Sequence, residues 1–137
     1  MCLRTYLKNL FYKRRLKKYG VRFPVRCKLH RVSAQEIQGA LAQSQPLDEL
    51  QIVHCPTPQA PLRVIVYSIP LNRVLGYIKE ELAEKLVYAL GEEFCLDGEI
   101  ANRTGGKNGE YYGCNIRIFD TMELMSEYEN FKHLYGE

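Results

Sequence analysis

The first acidic side chain in this sequence is Glu36; no aspartate or glutamate precedes it. Over the same stretch, from Arg4 to Arg31, stand eleven Lys or Arg residues. Long apolar runs are also missing. The longest, around Val64 to Ile69, falls far short of the roughly 20 residues that a membrane-crossing helix needs. No secretory leader is expected, because Arg4, Lys8 and Lys13 interrupt the first apolar residues. The five cysteines (Cys2, Cys27, Cys55, Cys95 and Cys114) are scattered, odd in number and contain no Cys-x-x-Cys pair. That spacing argues against a disulfide framework and predicts free thiols in a reducing compartment, the cytoplasm. Serine is scarce as well. None of Ser33, Ser44, Ser68 and Ser126 stands in a Gly-x-Ser-x-Gly or Ser-x-x-Lys motif, so no serine nucleophile is expected.

What is present suits one globular domain. The chain has 137 residues, 46% hydrophobic and 26% charged, enough to bury a core without disulfides. Charge is unevenly placed. From residue 32 onward eight Lys or Arg meet sixteen Asp or Glu, a net charge of −8, although the whole chain carries +3. Such asymmetry suggests an arm that seeks anions, or one that neutralises its own acidic body.

Periodicity places the elements. Leu3, Tyr6, Leu7, Leu10 and Phe11 recur at helical spacing and predict a helix over 3–18 that Gly20 stops. Val21, Phe23, Val25, Cys27 and Leu29 then alternate with Arg22, Pro24, Arg26, Lys28 and His30, predicting a half-buried strand with a basic outer face. Pro24 sets that strand near an edge or bulge. Ser33 and Glu36 have the spacing of a capping box before a short helix to about Gln43. Strands are predicted at 50–54, 62–68, 73–78, 94–103 and 111–119, the last two joined by a hairpin at Gly105-Gly106-Lys107-Asn108-Gly109. Helices are predicted at 79–91 and 121–135. The latter has Leu124, Tyr128, Phe131 and Tyr135 on one face.

The residues able to carry chemistry do not converge. Cys27 and His30, three apart on a strand, point to opposite faces, as do the neighbours His54 and Cys55, so no zinc site is expected. They read as buried thiols and edge histidines. The pairs Glu80/Glu81 and Glu92/Glu93 do not share a helix face. Gly105-Gly106 lacks the strand-to-helix setting of a phosphate loop. No enzymatic activity, cofactor or metal is therefore expected. The basic arm is the strongest signal, and three readings stay open for it. Lys and Arg interleaved with Tyr6, Phe11, Tyr12 and Tyr19 suit phosphate contact with base stacking. They also suit an interfacial helix on anionic lipid, or a helix docked on the acidic body.

Four pieces further along share an order and spacing: Leu75-Gly76-Tyr77-Ile78, Glu81-Leu82-Ala83, Thr104-Gly105-Gly106 and Tyr112-Gly113-Cys114-Asn115-Ile116. In these the stretch from Leu50 to Phe119, extending weakly back to Phe23, resembles the HIRAN domain family. The resemblance implies a compact OB-like β-barrel that binds single-stranded DNA, especially a free 3′ end. It departs from the family in the loop Cys55-Pro56-Thr57-Pro58-Gln59-Ala60-Pro61, which replaces an Asn-Pro-Tyr-Asp-type segment and so lacks its tyrosine and carboxylate. His30-Arg31-Val32 stands where an aromatic pair is expected, and Glu80 where a basic residue can occur.

The expectations combine as follows. The fold is α+β, a small OB-like or curled antiparallel barrel of about six strands with two or three helices. Residues 1–20 form a basic helical arm, 21–119 the barrel, and 120–137 a C-terminal helix packed on it. The function is non-catalytic nucleic-acid binding, single-stranded DNA foremost, with a protein-interaction domain as the alternative. The contacts are assigned to Lys13, Arg14, Arg15, Lys17, Lys18, Arg22, Arg26, Lys28, Tyr77 and Lys79.

Overall fold

The structure is a computed structural model that describes residues 3–91 and 94–120, with side chains from Leu10 onward. The helix expected over 121–135 lies outside the described residues, as do the side chains of Leu3, Tyr6 and Leu7. In chain order the elements are α1 (Leu3–Lys18), β1 (Val25–Lys28), α2 (Gln35–Gln43), β2 (Glu49–His54), β3 (Val64–Ser68), β4 (Arg73–Tyr77), α3 (Glu80–Leu90), β5 (Cys95–Gly105) and β6 (Tyr112–Ile118). The six strands form one antiparallel sheet in the order β1-β6-β5-β2-β3-β4.

This sheet curls into a half-barrel, the α+β architecture expected from the alternating runs. Its two ends meet at a single bridge. His30 N–H donates to the Tyr77 carbonyl at 2.9 Å, and Tyr77 N–H donates back to the His30 carbonyl at 3.0 Å. Gly76 makes room for that closure. A Cβ there would stand 3.1 Å from the His30 carbonyl oxygen and 3.2 Å from Leu29 Cβ.

Alternate positions of the strands face inward. Leu50, Ile52, Val64, Val66, Leu75, Leu96, Ile100, Ile116 and Ile118 are almost wholly buried. Ala83, Leu86, Val87 and Leu90 of α3 join that core through the one apolar face of their helix. α2 packs on β4 and β6 with Ile37, Ala40 and Leu41 buried. The Gln38 amide fastens it, donating to the Val32 and Tyr112 carbonyls at 2.8 and 2.9 Å and accepting from Tyr112 N–H at 2.8 Å.

Among the described side chains of α1, Tyr12 and Leu16 are buried and Tyr19 is half-buried, and they pack against α3; of the apolar face expected from the sequence, Leu10 is half-buried and Phe11 is exposed. Spacings of four and three put Tyr12, Leu16 and Tyr19 on one stripe, and Tyr12 Oη donates to Asp120 Oδ1 at 2.6 Å. Gly20 ends the helix at φ +71°. Val21 N–H returns to the Leu16 carbonyl at 2.9 Å, and Gly20 N–H to the Lys17 carbonyl at 3.3 Å, which is a Schellman cap.

Two local expectations are corrected. Ser33 does not cap α2. The first helical bond runs from Gln38 N–H to the Ala34 carbonyl, so Ala34 is the N-cap and Ser33 stands one residue too early. The ladder of the basic strand also begins only at Val25, since Pro24 has no N–H to give it. The alternation of exposure nevertheless runs from Val21 to His30.

Candidate nucleic-acid interface

Beside the closing bridge lies a groove of about 340 Å³, within the size range of small-ligand sites. Four pieces of chain wall it. The end of β4 gives Tyr77, with Ile78 and Lys79 following; the start of α3 gives Glu80; the chain leaving β1 gives His30 and Arg31; and the loop between β2 and β3 gives Pro61 and Arg63. The curl of the sheet is what brings His30 and Arg31 to Tyr77.

The loop wall is held from several sides. Thr57 and Ala60 each donate an N–H to the other's carbonyl, at 3.1 and 3.0 Å. Arg63 Nε donates to the Cys55 carbonyl at 2.9 Å, and Nη2 lies 3.3 Å from Cys55 Sγ. From beneath, His54 Nε2 is 3.0 Å from the Pro61 carbonyl, and its ring stacks on Phe94 with centroids 5.6 Å apart. His54 is thus buried, not an edge histidine as the sequence suggested. With three prolines and these bonds, the loop presents a preformed wall.

Three cations, Arg31, Arg63 and Lys79, line the groove against one carboxylate, Glu80. Lys79 Nζ also lies 3.2 Å from Glu81 Oε2, but both side chains are mostly in water, so that pair is weak. An anion at this groove meets a cationic rim beside an aromatic ring, the combination that holds phosphate and base together.

The other sequence-assigned residues fall into two groups. Arg22, Arg26 and Lys28 are all exposed; the last two stand on the outward side of β1, which leads toward Arg31. Arg26 pairs in register with Arg117, whose guanidinium is committed to Glu99 at 2.7 Å. Lys13, Arg14, Arg15, Lys17 and Lys18 are exposed on α1. They flank the stripe that docks on α3, toward the end where Tyr19 meets Tyr88. The flank of α3 between that end and the groove exposes Glu80, Glu81 and Glu84 against one cation, Lys85. A cationic path between α1 and the groove therefore follows β1, not α3.

Of the assigned residues, only Tyr77 and Lys79 meet in one groove. Their partners there, Arg31 and Arg63, were not assigned. Arg31 breaks the alternation, which would turn it inward beside Leu29; it is exposed, at a left-handed φ of 55°, and no periodicity pointed to it. Arg63 has no signal in the sequence either, because its place depends on how the loop folds back on Cys55.

Three of the described thiols are held in their protonated form. Burial pushes Cys27 up to about 11, and burial together with neighbouring Cys27 pushes Cys114 up to about 12. Cys95, though exposed, is also raised, by desolvation and by Asp97. Among the described residues no three His, Cys, Asp or Glu side chains gather as metal ligands, and no helix is long and apolar enough to cross a membrane. No family model, curated protein or solved structure matches the chain.

Proposed function

We propose that this protein is a non-catalytic, HIRAN-like module that binds single-stranded nucleic acid, with single-stranded DNA as the foremost ligand. The observation that carries the reading is the meeting of Tyr77, Lys79, Arg31 and Arg63 in one groove at the end of a basic edge strand. Tyr77 offers a stacking face, the three cations hold phosphates, and Arg26 and Lys28 continue the cationic track. The preformed loop lets the site bind without the cost of ordering it.

A fluorescent single-stranded oligonucleotide titrated at several salt concentrations tests this. The logarithm of affinity should fall with the logarithm of salt at a slope of about −0.7 per phosphate contact. Replacing Arg31 and Lys79 together by alanine should make that slope shallower by about 1–1.5. A wild-type protein that shows no binding at low salt overturns the reading. It would favour the alternative, a protein-interaction domain, which the loop Cys55–Pro61 supports because it carries neither a tyrosine nor a carboxylate.

A further inference from the structure

At the end of α3 remote from the groove, Tyr88 is 51% exposed. Its ring lies against Tyr19 with centroids 5.8 Å apart and planes inclined by 36°. The Lys18 ammonium stands 5.4 Å from the centre of the Tyr19 ring. Arg15 and Arg22, four residues before and three after Tyr19, are also exposed. An exposed ring leaning on a half-buried one, with cations around both, has the chemistry of a base-stacking platform. The rings take an unpaired base, and the cations take the phosphates on either side. Docking of α1 does not depend on the exposed face of Tyr88, because Tyr12 and Leu16 supply the buried contact.

We propose that the Tyr19–Tyr88 pair is a second platform for a single strand whose other part occupies the groove. This rests on the nucleic-acid reading of that groove. Tyr88 follows Glu80 by eight residues, about 12 Å along the helix axis at ~1.5 Å per residue. The path that the cations mark is longer, since from Arg22 to Arg31 it follows nine residues, up to about 30 Å at ~3.3 Å per residue, so a very short oligonucleotide reaches one site at a time and a longer one reaches both. Along the direct line over α3 the exposed carboxylates Glu80, Glu81 and Glu84 outnumber the one cation, Lys85, and disfavour a strand there. The strand runs instead past Arg22, Arg26 and Lys28. A lipid surface is the other occupant that cations and an exposed Phe11 would suit. Tyrosine hydroxyls and a tilted ring pair favour a base over acyl chains.

The test uses the full chain with oligothymidylates of about 4 and about 12 nucleotides, near the two ends of the site sizes that OB-type folds cover. Tyr88→Ala should weaken the longer oligonucleotide by about 5- to 150-fold and leave the shorter one within about twofold, as expected for one lost stack of ~1–3 kcal/mol. Tyr88→Phe, which keeps the ring, should restore the wild-type affinity. 2-Aminopurine moved along the longer strand should be quenched at one internal position in the wild type and lose that quenching in Tyr88→Ala. If Tyr88→Ala binds the longer strand as the wild type does, while the Arg31/Lys79 double variant weakens it, the platform is wrong and the groove stands. If the wild type binds neither oligonucleotide, both readings fall. If Tyr88→Ala loses binding to anionic vesicles but not to oligonucleotides, the surface belongs to a membrane and the proposal is overturned.

Discussion

Gly76 stands where β4 passes the chain leaving β1, and a side chain there has backbone on one side and Leu29 and Val32 on the other. None of these is the free end of a long side chain, so the closure must open to admit one. Gly76→Val is expected to lower unfolding stability by about 1–3 kcal/mol, read as a lower urea midpoint. An unchanged midpoint would show that the bridge tolerates separation. Two thiols, the buried Cys114 and the half-buried Cys27, set a second expectation. Cys27 and Cys114 ionise in the unfolded chain near the ordinary 9.0 but in the folded protein at about 11 and about 12. The folded state then keeps protons that the unfolded state loses, so their contribution is full below pH 9 and disappears as pH rises through 11 to 12. Stability should fall over that window, and less steeply in Cys27→Ala. In the native protein at pH 8, both thiols should resist a disulfide reagent until denaturant is added.

At the scale of elements, the sheet was the most legible part of the sequence. A period of two in Val21 to Leu29 and in Leu50 to His54 reports directly which side chains turn inward, because a strand has only two faces. Helix boundaries were less legible. The Ser33–Glu36 spacing satisfies a capping box, yet the chain between Leu29 and Val32 is tied to β4 and β6 and delivers Ala34 to the cap. The stripe of Tyr12, Leu16 and Tyr19 on α1 was not legible for a related reason. These residues lie among Lys and Arg whose charges mask the apolar spacing, and only the partner α3 reveals it. The site was legible as charge but not as shape, since its walls come from residues 30–31, 59–63 and 77–80, and periodicity carries no information between elements. Gln38 was invisible in the same way. Gln38→Leu leaves a donor and two acceptors of Val32 and Tyr112 unpaired, and should cost about 1–3 kcal/mol in chemical denaturation. A loss below about 0.5 kcal/mol would mean that water replaces the amide.

For the molecule as a whole, α1 is both surface and support. Deleting residues 1–19 removes Tyr12 and Leu16 from the core cluster and the hydroxyl bond to Asp120. At about 1.5–3 kcal/mol for each large buried apolar side chain, the loss is about 3–6 kcal/mol, visible as a lowered melting temperature. A truncated chain that melts with the wild type would make the helix a free arm. Charge is divided on the same scale. The basic helix α1 and the acidic flank of α3 belong to one folded body. Salt should therefore weaken ligand binding steeply while changing the melting temperature little, since most of these charges stand in water.

The half-barrel closes through two backbone bonds, and the residues that make them, His30 and Tyr77, also wall the groove. Occupancy and closure are therefore linked equilibria. A ligand that needs both walls binds only the closed form and by mass action holds it closed. In native-state hydrogen exchange the amides of His30 and Tyr77 should gain protection with added oligonucleotide, ahead of the β2–β5 ladder, whose amides exchange only through larger openings. The seam then reports on the ligand from within the backbone.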